Sequence, residues 1–522
     1  MDAHSQHPWR FTAAARILLR HGYDALALIC VTVFHHVLGV KYRFAQIAYD
    51  EHWFLTEGWS VVKGQVPYRD FQEFKPPGVI FVNALAVKLF GIEDLGYRKL
   101  LALLSLAAFL ALAVALLSRR VNRWLVVGVL MLMVNHFYDD GLHNGVINDA
   151  ETPALNFFLL GVGVLLTRTR WERTQQVLGG MLLALSPLSK EPLVFATLTA
   201  WLSLLLLHQL EAAGKGAARR FATCTISGAL AVAGIWLVYM LATRSLSWYI
   251  LELKLSIAYA QNYAYQLGWA SRTPEGGAFL QALRRLCKVY LNLSHLAVVI
   301  PFFLGLAALP GRRRLVGIGA LATFVASLYA VTIGGGYSSR YFIMAMAGTF
   351  FCVVLGAVAL DGLVQRWGSV ARHALGAAWL GIALLLTGPR FAAESKKYAS
   401  YAPAPPPVDP ADIDFVRQHA SPEDTIFTVD DPLLYVYSDR VSAFRGGIVL
   451  DEIIEYYPGD TDEERLSVIR DGLEEKRPKL IIFGNTLFGP RRKQRYIAAV
   501  VMPFIRDGGY TPLNDRFYVR PD

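Results

Sequence analysis

Cysteine and charge are both scarce in this sequence. Four cysteines occur in 522 residues, Cys30, Cys224, Cys287 and Cys352, all within or beside apolar runs and none in CxxC spacing. That argues against a disulfide framework and against a zinc site. Charged residues make up only 18% of the chain, against 54% hydrophobic, and the mean hydropathy is +0.36. A soluble chain needs no such bias to build a core, so the composition excludes an ordinary soluble protein. No Gly-rich phosphate fingerprint occurs, and no internal repeat links the apolar runs. The N-terminal run "LALICVTVFHHVLGV" has no small-residue cleavage site and continues into "YDE". It is therefore expected to be a retained anchor.

What the chain has is long apolar runs over its first four-fifths. Spans are expected at 23–40, 98–118, 123–138, 152–167, 175–189, 192–208, 221–243, 288–309, 314–333, 341–360 and 374–390. The fold class is thus a polytopic α-helical membrane protein with about 11 transmembrane helices. The net charge of +10 does not indicate nucleic acid, because the cations fall in short loops between spans. Arg10, Arg16 and Arg20 before the first span place the N-terminus in the cytoplasm. The run 76–91, with Asn83 and Lys88, falls short of the roughly 20 residues a crossing needs. Read as an interfacial helix on the outer surface, it puts "RRVNR", "TRTRWER", "GKGAARR", "GRRR" and "QRWGSVAR" all inside, as the positive-inside rule asks.

That parity puts "YDEHWF", "FQEFKPPG", "INDAETP", "LSKEP" and "GGGYSSRY" outside. The first external loop is 41–97. Residues 1–398 then form the transmembrane domain and 399–522 an external α/β domain beyond the linker "YAPAPPPVDP". In that domain "DTIFTVDD" and "KLIIFG" are expected as strands, and 410–419, 461–475 and 490–505 as helices.

Each outer residue has a bland reading and a chemical one. Asp50 and Glu51 either mark the end of a span or, set beside Tyr49, Trp53 and Phe54, include a carboxylate whose pKa is raised enough to take a proton from a hydroxyl. Asp149 and Glu151 suit a helix start with Thr152 as cap and Pro153 as first helical residue, or form a second acidic group facing Asp50. Lys75 before Pro76 and Pro77 is either a snorkelling lysine or a point-charge ligand for phosphate. Lys190 and Arg340 stand nearly alone on a cation-poor face, which suits anion binding as well as a helix end meeting lipid headgroups. The aromatics of 244–287, among them Trp248, Tyr249, Tyr259, Tyr263, Tyr265 and Trp269, suit an interface belt or sugar stacking equally. His143 reads as a loop hydrogen bonder, and His35 and His36 lie inside the first span with no partner evident.

In this order and sidedness, the five motifs resemble the polyprenyl-phosphate-sugar-dependent GT-C glycosyltransferases. The resemblance covers roughly residues 20–360 and is to the group of bacterial protein O-mannosyltransferases, the lipid A aminoarabinose transferase and rhizobial galacturonosyltransferases. It implies the GT-C fold and a multi-pass protein of the bacterial inner membrane, with the C-terminal domain in the periplasm. It also implies a polyprenyl-phosphate-linked sugar donor, and an envelope acceptor that is a lipid, glycan or protein. Asp50, with Glu51 beside it, corresponds to the base or acceptor-orienting group, and Asp149, with Glu151 nearby, to the second acidic site. Lys75, Arg340 and Lys190 correspond to donor-phosphate ligands. Phe74 separates Glu73 from Lys75, unlike the aminoarabinose transferase, so no metal-ligand role is assigned to Glu73. Phosphate is itself the leaving group, so no cofactor is required and nothing supports a divalent metal. The rival readings are a transporter or flippase of lipid-linked sugars, which would favour mid-span ionisable residues, and a non-catalytic envelope scaffold.

Overall fold

The computed structural model describes residues 13–43, 49–92, 96–138, 149–211, 216–266, 293–333, 339–402, 407–429, 431–445, 461–483 and 496–521. The helices begin with α1 (Ala13–Arg43), α2 (Tyr49–Val62), α3 (Pro77–Phe90), α4 (Gly96–Ser118) and α5 (Arg123–Phe137). They continue with α6 (Glu151–Leu166), α7 (Glu172–Ser189), α8 (Val194–Glu211), α9 (Ala217–Ala242) and α10 (Leu246–Gln266). Further helices cover Leu293–Ala307, Arg314–Ile333, Ile343–Val364 and Ser369–Lys397. Among the described residues, seven helices are long and apolar enough to cross a membrane, and the chain is a multi-pass membrane protein. The count of seven covers the described residues alone, and the span read at 288–309 begins outside them. Helices such as α5 and α6, at about 1.5 Å per residue, are shorter than a hydrocarbon layer of roughly 30 Å.

The bundle packs through small residues, as expected where apolar lipid offers helices no reason to associate by hydrophobicity. Helix Ile343–Val364 is buried along nearly its whole length. A Cβ on its Gly348 would collide with the backbone of Phe324, and one on Gly356 with the backbone of Phe302. Gly180 of α7 meets the backbone of Thr225 in α9 in the same way.

Helices α2 and α3 are 14 residues each. They pack together where Gly58 lies against the backbone of Asn83 and Ala84. Pro76 stands at the N-cap of α3 and Pro77 opens the helix, where a missing N–H costs nothing.

The C-terminal part carries a five-stranded sheet in the order β2-β1-β3-β5-β4. Its strands are β1 (Thr425–Val429), β2 (Val441–Ser442), β3 (Leu480–Phe483), β4 (Thr511–Pro512) and β5 (Phe517–Val519). Strands β1, β2 and β3 are parallel, while β5 runs antiparallel to β3 and to β4. The two strands expected from sequence are β1 and β3. Helices Pro410–His419 and Asp462–Lys476 fall where expected, the second opened by a capping box of Thr461 and Glu464. Of the third pattern, Ile497–Val501 and Met502–Asp507 are helical, and 490–495 lie outside the described residues. The sheet does not stand apart from the bundle: Val416, Leu434 and Leu480 share one apolar core with Leu55, Trp59, Val82 and Leu101 of α2, α3 and α4.

Candidate functional site

Four of the five motifs singled out from sequence meet around the start of α3. A Cβ on Gly78 would strike the Oγ of Ser189 and the backbone of Leu188, so "FKPPG" is seated directly on "LSKEP". Lys190, which ends α7, pairs with Glu151 at the start of α6 at 2.7 Å. Its ammonium also lies 5.3 Å from the ring of Tyr341, in "SSRYF". Lys75 is within electrostatic reach of both Glu57 in α2 and Glu191. Four stretches spread over almost three hundred residues thus share one cluster.

Lys75 is held from its backbone. Its N–H donates to Glu73 Oε1 at 2.5 Å, and its carbonyl accepts from the Tyr68 hydroxyl at 2.9 Å. Tyr68 is fully buried and has φ 68°, a left-handed conformation costly for an aromatic residue and typical of positions fixed by their surroundings. The Lys75 side chain is half-buried and forms no ion pair among the described residues. It is a fixed cation with its charge left open.

Lys190 differs. It is 6% exposed and its charge is met by Glu151, itself 3% exposed. Burial alone would pull the ammonium down, but Glu151 and then Tyr341 outweigh it and hold the group above its ordinary value. Lys190→Met would break a buried ion pair by removing the ammonium beside Glu151, an expected cost of up to about 3–5 kcal/mol. Lys190→Met with Glu151→Leu is expected to recover most of that loss, as read by thermal unfolding in detergent.

Asp149 accepts the Thr152 N–H at 2.8 Å. Thr152 is therefore not the cap; helix α6 begins at Glu151 and the cap comes from Asp149, one turn back. Glu51 forms a fully buried two-point ion pair with Arg98, at 2.9 and 2.5 Å, which locks α2 onto α4. Asp50 is the second residue of α2 and Arg340 lies in a short 3-10 turn, Ser339–Phe342. The side chains of Asp50 and Arg340 lie outside the described residues, as do His143 and the side chains of Tyr259, Tyr263, Tyr265 and Trp269.

The sequence reading missed Glu57. It stands two helical turns after Asp50 in α2, and that seven-residue spacing was the available signal. Glu57 is 5% and Glu73 2% exposed. Each has one oxygen engaged, by Trp53 Nε1 and by the Lys75 N–H respectively. The other oxygen of each is buried with no donor among the described residues. A proton on Glu57, donated to Glu73, satisfies both oxygens. Burial first, and then the charge and hydrogen bond of Glu73, push the Glu57 carboxyl well above its usual range, against the smaller opposing pull of Trp53 and Lys75. The folded state therefore keeps a proton that the unfolded chain gives up. Stability is expected to fall as pH rises above the ordinary carboxylate range, by about 1.4 kcal/mol per unit while the difference lasts. Glu57→Gln should flatten that slope in unfolding scans from pH 5 to pH 9.

Farther from the cluster, His35 bonds Ser105 at 2.8 Å and Tyr138 at 3.0 Å, and His36 bonds Tyr398 at 2.6 Å. Both are satisfied helix-packing residues. Among the described residues, no group of three or more His, Cys, Asp or Glu is arranged to hold a metal ion.

No protein-family model and no curated protein matches the sequence significantly. Among solved structures, the chain is similar to ArnT from Cupriavidus metallidurans bound to undecaprenyl phosphate. The TM-score is 0.51 at 13% identity, over 98% of this chain and 99% of that one. A weaker likeness is to the archaeal oligosaccharyltransferase AglB from Archaeoglobus fulgidus, in complex with an inhibitory peptide and a dolichol-phosphate. There the TM-score is 0.48 at 14% identity, over 90% of this chain and 69% of that one. The first likeness shows the fold: helical bundle, the short helices α2 and α3 and C-terminal sheet together are the GT-C fold.

Proposed function

We propose, starting from the GT-C fold, that the chain is a membrane glycosyltransferase of the bacterial inner membrane. It moves a sugar from a polyprenyl-phosphate donor to a hydroxyl of an envelope acceptor on the non-cytoplasmic face. The observation that carries this reading is the open charge of Lys75, fixed through its own backbone in a cluster where the neighbouring lysine is already neutralised. A donor phosphate brings the missing anion. The N-terminus of α3, immediately after Lys75, adds its positive dipole end. That ArnT is described with undecaprenyl phosphate agrees with this chemistry.

In the proposed reaction the acceptor oxygen attacks the anomeric carbon as the bond from that carbon to the phosphate oxygen breaks. The proton goes to the Asp50 carboxylate, and polyprenyl phosphate leaves with its extra negative charge met by Lys75 and Arg340. One displacement inverts the anomeric centre. Glu51 acts at one remove, since its pairing with Arg98 sets the position of α2 and so of Asp50. Asp149 and Glu151 form the opposite acidic wall, with Lys190 holding Glu151 in place. No step calls for a cofactor.

A labelled polyprenyl-phosphate sugar, supplied to purified protein in sealed vesicles, tests the reading. Sugar release or transfer supports it; movement of intact donor between leaflets without release would establish the transporter instead.

A further inference from the structure

Near the Glu57–Glu73 pair lies a cleft of about 820 Å³, built from three parts of the chain distant in sequence. One wall is the first outer loop, one is α10, and the third is the β2 edge of the sheet with helix Asp462–Lys476. Arg445 ties the walls together. Its Nε donates to the Tyr68 carbonyl at 3.0 Å, its guanidinium pairs with Glu252 at 2.7 Å, and its carbonyl accepts the Gln72 N–H at 2.7 Å. The same guanidinium lies 4.1 Å over the ring of Trp248, which stays 38% exposed. Glu252 is 1% exposed. An adjoining chamber of about 30 Å³, with Glu57, Asp70 and Gln72 in its wall, separates this cleft from the acidic pair. That is room for one or two waters.

The charges of the cleft decide what it suits. Its lining holds four cations and four acids. Each cation lies beside an acid: Lys63 beside Asp439 at 2.6 Å, Arg69 beside Asp70 at 2.7 Å, Arg445 beside Glu252 at 2.7 Å and Lys476 beside Glu475 at 2.9 Å. Cations and acids thus balance along the lining, so the cleft offers a phosphorylated or uronic-acid ligand no net positive charge. A sugar ring needs something else. It asks for an aromatic surface for its C–H face, and for planar side chains that donate to and accept from neighbouring hydroxyls. Trp248, on the side of its ring not covered by Arg445, supplies the first, and Arg445 and Asp70 in the lining supply the second. The volume lies within the roughly 300–1,000 Å³ of ligand clefts.

We infer that this cleft is a subsite for a neutral glycan, holding acceptor sugar units that neighbour the one to be modified. The inference rests on the transferase reading for its role, while binding itself is measured independently. Sugar units held here fix the reacting hydroxyl from a distance, so remote binding energy orients the acceptor.

The test uses the full chain in nanodiscs and saturation-transfer NMR with hexasaccharides of α-glucan, α-mannan, β-galactan and galacturonan, and a Ser/Thr-rich peptide. At least one neutral oligosaccharide binds. Trp248→Ala weakens it tenfold or more, and Trp248→Phe keeps it within about threefold. Asp471→Arg, on the exposed side of the cleft, adds an open cation without touching the core, so it weakens the neutral ligand and strengthens galacturonan. The inference is overturned if no neutral oligosaccharide binds, if galacturonan or the peptide binds better to the wild type, or if neither Trp248→Ala nor Asp471→Arg changes binding. Release of sugar to water from the lipid-phosphate donor is followed in parallel. Release without oligosaccharide binding removes the subsite and leaves the transferase; binding without release does the reverse.

Discussion

Lys75→Ala is expected to lower sugar transfer by about 10²–10³-fold while leaving the unfolding temperature within a degree or two of wild type. The size follows from removing one fixed charge that the proposed reaction sets against a growing negative charge. The donor carries one negative charge on its phosphodiester, and the departing monoester carries nearly two. An ammonium beside it thus gains interaction energy as the bond breaks, and its loss shows in kcat as well as in the KM for donor. The mild effect on stability follows from the structure. Lys75 is half-buried and leaves no buried carboxylate alone when removed, because Glu73 keeps its bond to the backbone N–H. Lys190→Met should behave in the opposite way, costing stability through Glu151. The two lysines are thereby separated by experiment.

Asp50→Asn is expected to lower transfer by about 10²–10⁴-fold, the range for loss of a positioned base, with donor binding unchanged. Asparagine keeps the shape and cannot take the proton. The variant should show the fall in single-turnover transfer at saturating donor, which removes binding and product release from the measurement. Helix α2 should remain in place, since Glu51, the next residue, still clamps Arg98. Glu57→Gln in the same helix is not expected to mimic it. Burial and Glu73 hold its carboxyl toward the neutral form, so amide replacement changes little that the reaction uses.

The bundle was legible in the sequence because membranes impose a simple rule on long apolar segments, and the runs at 98–118 and 341–360 obey it without ambiguity. The shorter α3, α5 and α6 were harder to judge, since an apolar helix of 14–16 residues reads alike whether it crosses, stops short or lies along a surface. Strands β1 and β3 announced themselves as buried apolar runs. Strands β2 and β4 have two residues each, too few for any period to show. The candidate site was legible where a residue stood out against its surroundings, as Lys75 and Lys190 do on a cation-poor face. Partnership was not legible: nothing in the sequence says that Lys190 is spent on Glu151 while Lys75 is left open. Glu57, Glu252 and Arg445 were missed for the same reason. Each is unremarkable in its own stretch and becomes significant only when the fold brings 57 to 73 and 252 to 445.

The central claim is that Lys75 grips a lipid phosphate, and native mass spectrometry of the detergent-solubilised protein with undecaprenyl phosphate measures it directly. Lys88→Ala, on the exposed last turn of α3, removes the same charge away from the cluster and serves as the control. Wild type and Lys88→Ala are predicted to retain one bound lipid phosphate and Lys75→Ala to lose it. Equal retention by all three proteins would contradict the account.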